Sequence, residues 1–410
     1  MLLIKKSIIM DEKDNFLSIN KKKKRKKNVY NNNYSSINSK IQISKKYYRI
    51  IFMSLIIINI FLFIKLIQSN KSINTKEIID DNYYVNITKF NNNISFFSQI
   101  KRIFLYKEDI IEFNNTKNQI HISMAIDNKF IYPTLVSMTS ALENNNKAIN
   151  IIIYHLFLPE DFNKQNIKIF DSLKNNYEVK INYYIVPNIF SKCKSWVGGT
   201  NTIYYKILLP LVFHDFERII YLDADTLIFK DLLEMYTLPF NDNYILGYPF
   251  HDVYKIDNFV KNATYYINGG VLLFNIEKIR KDNKDIELIR FTIENHFKLW
   301  FLEQDSINII FSQKIGFLPL KYGIYMYGDI YSFEKSIQIR IRIKLNRTEV
   351  IQAIDDPSLV HFSGCNPKVW FKSSSNEFGV HDICKRFNKE FYYYANKTNY
   401  YFDIYKKYIG

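Results

Sequence analysis

The sequence predicts an α/β domain, in which helices cover both faces of a sheet, behind a polar tail, a membrane span and a stem. Three observations predict this class. Short apolar runs alternate with amphipathic stretches over residues 119–372. One long apolar run occupies residues 50–67. Hydrophobic residues make up 47% of the 410 positions, which is enough for a large buried core.

The composition excludes two classes of protein. The formal net charge is +16, but residues 1–49 hold 14 basic and 3 acidic residues, so the remainder is close to charge-balanced. No nucleic-acid-binding domain is therefore expected, because such a domain concentrates basic residues on its folded part. Three cysteines, Cys193, Cys365 and Cys384, exclude a disulfide scaffold and allow at most one disulfide within the chain.

The first 67 residues predict a membrane anchor. Residues 1–49 are polar and include the basic run 21–27, which predicts a disordered tail. Residues 50–67 are almost entirely apolar, and 18 helical residues span about 27 Å, close to the thickness of a bilayer core. The positive-inside rule keeps the tail in the cytosol. We expect a single-pass type II signal anchor in the Golgi or endoplasmic reticulum membrane; a buried core helix is the alternative.

The segment after the span predicts a lumenal stem. Residues 68–118 are polar with scattered aromatic residues, and the folded domain is expected to start near residue 119. Asn-x-Ser/Thr sequons are compatible with a lumenal glycoprotein. Sequons that follow the span include those at Asn86, Asn93, Asn114, Asn262, Asn346 and Asn396.

Alternating strands and helices open the lumenal domain. The predicted strands are residues 120–126, 150–156, 179–186 and 218–222, and the predicted helices are residues 132–142 and 161–173. This alternation favours a parallel sheet, which binds its ligands at the carboxyl ends of the strands. The chain has no G-x-G-x-x-G after the first strand and no Walker lysine, which excludes a dinucleotide fingerprint and a P-loop.

Two aspartates, Asp223 and Asp225, directly follow the strand predicted at residues 218–222. Residues two apart in an extended chain point to the same side, so both carboxylates can bind one hard cation. A single D-x-D is a weak signal, and a turn capped by aspartate is the alternative. Crowded carboxylates after a buried strand favour the cation.

Six blocks of residues, in a fixed order, resemble the retaining glycosyltransferases of family 8. They are Ala125-Ile126-Asp127; Tyr204-Tyr205-Lys206 with Leu209-Pro210; Tyr221-Leu222-Asp223-Ala224-Asp225; residues 268–275, which begin Asn268-Gly269-Gly270; Glu303-Gln304-Asp305-Ser306-Ile307-Asn308; and His361-Phe362-Ser363-Gly364 followed by Lys368 and Trp370. The resemblance implies the GT-A fold, a Rossmann-like mixed sheet covered by helices, with a UDP-sugar donor and manganese.

The resemblance also assigns roles to residues. Asp223, Asp225 and His361 would bind the manganese ion. The donor would contact Ala125, Asp127, Lys206, Asn268, Gly269, Gly270, Gly364 and Lys368. From position alone, Asp127 could equally cap the helix predicted at residues 132–142. His361 could be an ordinary core histidine, and Lys368 a solvated surface lysine.

Three positions depart from the usual family pattern. Lys206 stands where the family usually has Arg, and Glu303 stands where Asp is usual. Lys368 lies one residue further from His361 than the family lysine does. A lysine cannot provide the bidentate fork of an arginine, so the contact with the donor is expected to be looser.

Retention of configuration requires either a carboxylate nucleophile or front-side attack by the acceptor. Gln304 resembles the family residue beneath the anomeric carbon, and an amide is a poor nucleophile. We therefore favour the front-side route, with Glu303 and Asp305 as the candidates for a covalent route.

Aromatic residues outside the six blocks are predicted to pack rather than to bind sugar. Residues 373–410 are expected to form an aromatic-rich helical extension, with an acceptor platform as the alternative. For Trp196 and Trp300, core packing is favoured over stacking on a sugar.

The sequence as a whole predicts a retaining glycosyltransferase that moves a hexose or pentose from a UDP-sugar to a glycan, glycoprotein or glycolipid. A catalytically inactive relative that binds sugar or a partner is the first alternative. A structural protein that docks on membranes through its basic tail is the second.

Overall fold

The computed structural model describes residues 105–107, 117–196, 199–213, 215–250, 256, 258–260, 265–324, 347–363, 365, 368–371 and 386–409. The predicted tail at residues 1–49, the predicted anchor at 50–67 and most of the predicted stem at 68–118 lie outside these residues. Within the described ranges, no helix is both long enough and apolar enough to cross a membrane.

The described elements alternate between strands and helices. The strands are β1 (Leu105–Lys107), β2 (Asn118–Ala125), β3 (Asn150–Pro159), β4 (Val179–Val186), β5 (Arg218–Leu222), β6 (Thr226–Ile228), β7 (Ile245–Pro249), β8 (Ile267–Asn275), β9 (Ile315–Phe317), β10 (Tyr322–Ile324) and β11 (Leu359–His361). The α-helices are α1 (Ile131–Asn144), α2 (Ile167–Asp171), α3 (Leu209–Val212), α4 (Leu233–Tyr236), α5 (Ile276–Lys281), α6 (Lys284–Asn295), α7 (Glu303–Ile310), α8 (Arg347–Asp355), α9 (Asn388–Ala395) and α10 (Tyr401–Tyr408).

One mixed sheet organises the described chain. Its strand order is β1-β4-β3-β2-β5-β8-β7-β9, with β4, β3, β2 and β5 parallel to one another. Strand β8 runs antiparallel to both β5 and β7. The parallel arrangement expected from the strand and helix alternation therefore holds at the centre of the sheet. The β1 strand, which comes from the predicted stem, pairs antiparallel with β4.

A second sheet has the order β10-β11-β6. Strand β11 pairs antiparallel with β6, and His361 lies opposite Thr226 in this register. Because Thr226 directly follows Asp225, this pairing brings the end of β11 to the acidic pair after β5.

The predicted elements agree closely with the observed ones, except for one helix. Residues 179–186 and 218–222 form strands with the predicted bounds. The helix predicted at residues 161–173 was wrong as a single element. A 3₁₀ turn (Lys164–Asn166), the short α2 and a second 3₁₀ turn (Ser172–Asn175) occupy this stretch. The Asn163 side chain caps the first turn, accepting from Gln165 N, which favours a tight local turn over a continuous helix.

The large sheet is buried on both faces. Along β5, Ile220 and Leu222 belong to the core cluster that includes α1, whereas Ile219 and Tyr221 belong to the cluster on the opposite face. This alternation follows from the two-residue period of a strand. The sheet therefore holds the residues at its carboxyl edge on a rigid base.

Two histidines lie side by side on β2 and β3. His121 Nδ1 is 3.0 Å from His155 Nε2, and His155 Nδ1 is 3.2 Å from the Tyr184 hydroxyl. The rings of Phe213 and Phe216 pack against His155. Burial, with the charge of Lys180 as a smaller cause, lowers the pKa of His121 to about 4. Burial lowers the pKa of His155 well below its usual range.

We expect this neutral histidine pair to make stability depend on pH. In the unfolded chain both histidines bind protons below their ordinary pKa of 6.5, whereas the folded chain does not bind one at His121 until about pH 4. The free energy of unfolding should therefore fall as the pH drops from 6.5 towards 4, by up to about 1.4 kcal/mol per pH unit and histidine. Urea denaturation at a series of pH values measures this slope.

His121→Gln should reduce the slope, because the side chain no longer titrates. His296→Gln is the control, because it removes a histidine that lies outside this buried pair, at the end of α6. An unchanged slope in His121→Gln would contradict the assignment.

Candidate active site

Asp223, Asp225 and His361 converge at the carboxyl edge of the large sheet. His361 Nε2 lies 3.2 Å from Asp225 Oδ1 and 3.5 Å from Asp223 Oδ2. One ligand atom from each residue falls within 4.8 Å of the others. Asp225 and His361 are 9% and 2% exposed. Two carboxylate oxygens and one imidazole nitrogen form a donor set that can hold a divalent metal ion.

Strand pairing holds these residues in place. Asp223 N donates to Gly270 O at 2.8 Å, and Phe362 N donates to Asp225 O at 2.8 Å. A Cβ atom on Gly270 would lie 2.1 Å from His361 Cε1 and 2.5 Å from Asp223 Oδ2. A side chain at this position would thus occupy the space in which the three ligand groups meet. The space between these ligand groups fits a cation, and the missing side chain of Gly270 leaves it open.

Lys368 reaches the acidic pair despite its departure from the family pattern. Its Nζ donates to Asp225 Oδ2 at 2.6 Å and to Phe362 O at 3.0 Å. Burial raises the pKa of the Asp225 carboxyl, but the Lys368 ammonium and His361 more than offset this and hold that pKa well below its usual range. Gly364, the other residue assigned to this loop, lies outside the described residues.

The C-terminal helices hold the Lys368 loop. Asn388 Nδ2 donates to Val369 O, and the Tyr392 hydroxyl donates to Trp370 O at 2.5 Å. The Trp370 ring packs against Phe391 at 5.8 Å between centroids. Phe391, Tyr394 and Tyr408 of α9 and α10 are buried, as favoured from the sequence, whereas Tyr393, Phe402 and Tyr405 are exposed.

Lys206 and Glu303, two of the departures from the family pattern, contact each other. Lys206 Nζ lies 2.9 Å from Glu303 Oε1, 2.8 Å from Gly269 O and 3.4 Å from Asp223 Oδ1. Burial lowers the pKa of the lysine, but the two carboxylates outweigh it and raise that pKa above its usual value. Burial also raises the pKa of Glu303, which the Lys206 charge opposes. Glu303, which is longer than the usual Asp, thus reaches Lys206, which is shorter than the usual Arg.

Gln304 and Asp305 are fixed by neighbouring groups. Gly269 N donates to Gln304 Oε1 at 2.7 Å, and Gln304 Nε2 donates to the Tyr266 hydroxyl at 3.1 Å. Asp305 accepts from Tyr266 through one oxygen, and from the backbone of residues 300 and 301 at 2.6 and 2.7 Å through the other. Asp305 is 1% exposed, so a nucleophilic role would require it to give up these bonds. Asp305 therefore acts as a structural residue that fixes Tyr266 and the backbone of residues 300 and 301.

The side chains of Asn268 and Asp127 each accept a hydrogen bond from a backbone N–H two residues further along the chain. Asn268 Oδ1 accepts from Gly270 N at 2.7 Å and so closes the Gly-Gly turn. Asp127 Oδ1 accepts from Lys129 N at 2.7 Å, and Asp127 Oδ2 accepts from Thr200 Oγ1 at 2.8 Å. Asp127 therefore closes a local turn before α1 but does not cap that helix, because its N-cap residue is Phe130 and no side chain caps it.

Asp127 also lines a cavity of about 450 Å³ at the carboxyl ends of β2, β3 and β4. Ala125, the last residue of β2, lies two positions before it. Other lining residues include Pro159, Val186, Thr200 and Tyr205. The cavity has the size and place of a ligand pocket in an α/β sheet.

Sequence reasoning missed two residues that contact the site. Thr200 binds Asp127, and its signal was the preceding pair Gly198-Gly199 in a chain with only 11 glycines. Tyr266 binds both Gln304 and Asp305. In a chain that is 17% aromatic, nothing distinguished this tyrosine.

The packing expected for two tryptophans was wrong. Trp196 is 48% exposed and Trp300 is 57% exposed. The backbone of residue 300 is fixed by Asp305, which leaves the ring outside the core.

Comparisons with known proteins identify relatives of this chain. The model of glycosyl transferase family 8 matches residues 121–374. Lipopolysaccharide 1,2-glucosyltransferase of Escherichia coli is 24% identical over 283 residues, which cover 64% of this chain and 78% of that protein. Lipopolysaccharide 1,3-galactosyltransferase of Salmonella typhimurium is 25% identical over 224 residues, 50% of this chain and 64% of that protein. The solved structure of galactosyltransferase LgtC with donor and acceptor sugar analogues aligns with a TM-score of 0.54 at 17% identity, over 68% of this chain and 96% of that chain.

Gly270→Ala should weaken cation binding at the acidic pair. The new methyl group would collide with His361 and Asp223, so at least one ligand must move. We expect Mn²⁺ affinity to fall by about 10-fold or more, as for changes that displace ligands. Electron paramagnetic resonance of free Mn²⁺ measures this affinity.

Gly269→Ala is the matched control, because its Cβ would meet only Gln304, at 3.3 Å. Its Mn²⁺ affinity should stay close to that of the unchanged protein. Equal affinity in both alanine variants would contradict the role assigned to Gly270.

The Lys206–Glu303 pair should show compensation by length. Glu303→Asp shortens the acid and leaves a buried ammonium without its close partner, and Lys206→Arg crowds the site. Each single change should lower the free energy of unfolding, and the double variant should recover part of the loss. We expect a coupling energy of about 0.5–3 kcal/mol in a double-mutant cycle measured by urea denaturation.

The exposed pair Lys117–Glu178, 2.6 Å apart, provides the control cycle with the same exchanges. Its coupling should be near zero, since exposed pairs contribute little. Purely additive effects at Lys206 and Glu303 would show that the two departures are independent.

Proposed function

This chain belongs to glycosyl transferase family 8 and is a transferase with a GT-A-like α/β fold, and from this premise we propose its reaction. A hexose or pentose moves from a UDP-sugar to a glycan, glycoprotein or glycolipid, with retention of configuration and with manganese as the cation. The names of the two lipopolysaccharide relatives describe transfer of glucose and galactose, which supports a hexosyl donor.

The observation that supports the proposal most directly is the meeting of Asp223, Asp225 and His361. These three residues would hold the manganese ion, which supplies a Lewis acid for the charge on the leaving diphosphate. Lys368 donates to the Asp225 carboxylate and would add a second positive charge beside the phosphates. The cavity beside Asp127 has room for the uridine.

The proposed chemistry is front-side attack by the acceptor. Gln304 is held by Gly269 N and by Tyr266, so its amide has a fixed position from which to support the donor sugar. Glu303 and Asp305 are both buried and engaged with protein groups. Neither is set up as a free nucleophile, which favours transfer of the acceptor proton to the leaving phosphate.

We further propose that the enzyme is a type II membrane protein of the Golgi or endoplasmic reticulum, with its catalytic domain in the lumen. This part rests on the sequence, namely the apolar run at residues 50–67, the basic tail before it and the sequons after it. Extraction with alkaline carbonate tests it, because a spanning anchor stays in the pellet, whereas high salt releases a protein that docks through its basic tail.

The inactive relative remains the second candidate, since Lys206 and Glu303 depart from the family pattern. Their mutual ion pair weakens this alternative, because the two changes replace one buried pair with another of similar reach.

The full chain in detergent, supplied with Mn²⁺, should release UDP from at least one of UDP-glucose, UDP-galactose, UDP-xylose and UDP-N-acetylglucosamine. Asp225→Asn should reduce this release by about 100-fold or more, as expected when transition-state charge stabilisation is lost. Asp356→Asn is the control, because Asp356 is exposed and pairs only with Lys230 among the contacts described.

Binding of a UDP-sugar without release of UDP would favour the inactive relative. Full activity in Asp225→Asn would contradict the proposed cation site.

A further inference from the structure

Three large aromatic side chains are exposed on two neighbouring segments. Trp196 is 48% exposed, Phe297 is 63% exposed and Trp300 is 57% exposed. Exposed aromatic residues that cluster on one surface mark binding sites more often than scattered ones do. Contacts of neighbouring residues join the two segments that carry them.

Lys194 ties the two segments together. Its backbone N donates to His296 Nδ1 at 3.0 Å, and its Nζ donates to Leu299 O at 3.2 Å. The Trp196 ring lies 6.4 Å from the Phe301 ring, measured between centroids. We name the surface formed by Trp196, Phe297, Trp300 and Phe301 the aromatic wall.

One ring of the aromatic wall, that of Phe301, connects to Gln304 through the buried Tyr266. The Phe301 ring lies 6.4 Å from the ring of Tyr266, and the Tyr266 hydroxyl accepts from Gln304 Nε2 at 3.1 Å. A line of ring contacts therefore runs from exposed Trp196 to buried Gln304. Along the backbone, residues 300 and 301 donate to Asp305, which fixes the wall against the first turn of α7.

The turn between the wall and α7 has an unusual backbone. Leu302 has a φ of 55°, although it is neither glycine nor exposed. A bulky residue in this region costs energy and persists only where the surroundings hold it. This turn therefore joins residues 300 and 301 to Gln304 within one short segment of fixed backbone.

We propose that the aromatic wall is the acceptor subsite and that it binds a pyranose ring through the apolar C–H face of the sugar. This inference rests on the transferase function proposed above. Aromatic faces bind such C–H groups by dispersion and by the negative charge of the ring face. A carbohydrate acceptor is the occupant that the geometry favours, because ring contacts join the wall to Gln304 and three of its rings are exposed.

Trp300→Ala and Trp196→Ala separate acceptor binding from donor chemistry. In the full chain, each change should raise KM for a glycoside acceptor about 10-fold or more, the scale of a lost aromatic contact. Release of UDP from the donor by hydrolysis, without acceptor, should change less than twofold. Trp300→Phe should restore most of the acceptor affinity. Phe402→Ala, which removes an aromatic ring that is 84% exposed on α10, should change neither reaction.

A binding measurement distinguishes failure of this inference from failure of the proposed function. Saturation-transfer NMR with methyl glycosides of glucose, galactose and xylose should detect binding to the full chain, and the Trp196→Ala/Trp300→Ala variant should abolish it. Binding that depends on the tryptophans in a protein with no UDP release would uphold the wall and refute the transferase. Two results would overturn the wall as the acceptor subsite. In one, transfer and donor hydrolysis fall together in the single variants. In the other, the acceptor kinetics do not change.

Discussion

The structure of the site depends on the neutralisation of a small group of carboxylates. Asp223, Asp225 and Glu303 lie close together, and an unpaired charge on the buried Asp225 or Glu303 would cost several kcal/mol. Each cation that opposes them comes from a different part of the chain. Lys206 comes from the 3₁₀ segment Asn201–Leu208, and Lys368 comes from the loop after β11. The need for charge balance thus requires distant segments to meet at one edge of the sheet.

The central strands could be predicted because they are short, mostly apolar runs bounded by turn residues. Residues 179–186 and 218–222 have no competing helical period, so their bounds followed from the pattern alone. The position of Asp223 and Asp225 at a strand end followed from the same pattern. The overall α/β class therefore needed nothing beyond periodicity.

Other features depend on pairings that leave little trace in a sequence. The strand β11 has three residues, too few for a period, so the approach of His361 to Asp225 came from the family resemblance and not from spacing. The antiparallel direction of β8 likewise depends on its partners. The exposure of Trp196 and Trp300 was mispredicted because hydrophobicity favours the core, whereas Asp305 fixes the backbone that turns residue 300 outward.

The pairing of β1 with β4 affects how a soluble form of the enzyme can be made. β1 covers an edge of the large sheet with backbone hydrogen bonds, and it precedes the boundary expected near residue 119. A secreted version cut at that boundary would leave the β4 edge uncovered, and uncovered edges recruit strands from other molecules. Preparations that begin upstream of Leu105 would keep this edge paired and should resist aggregation during purification.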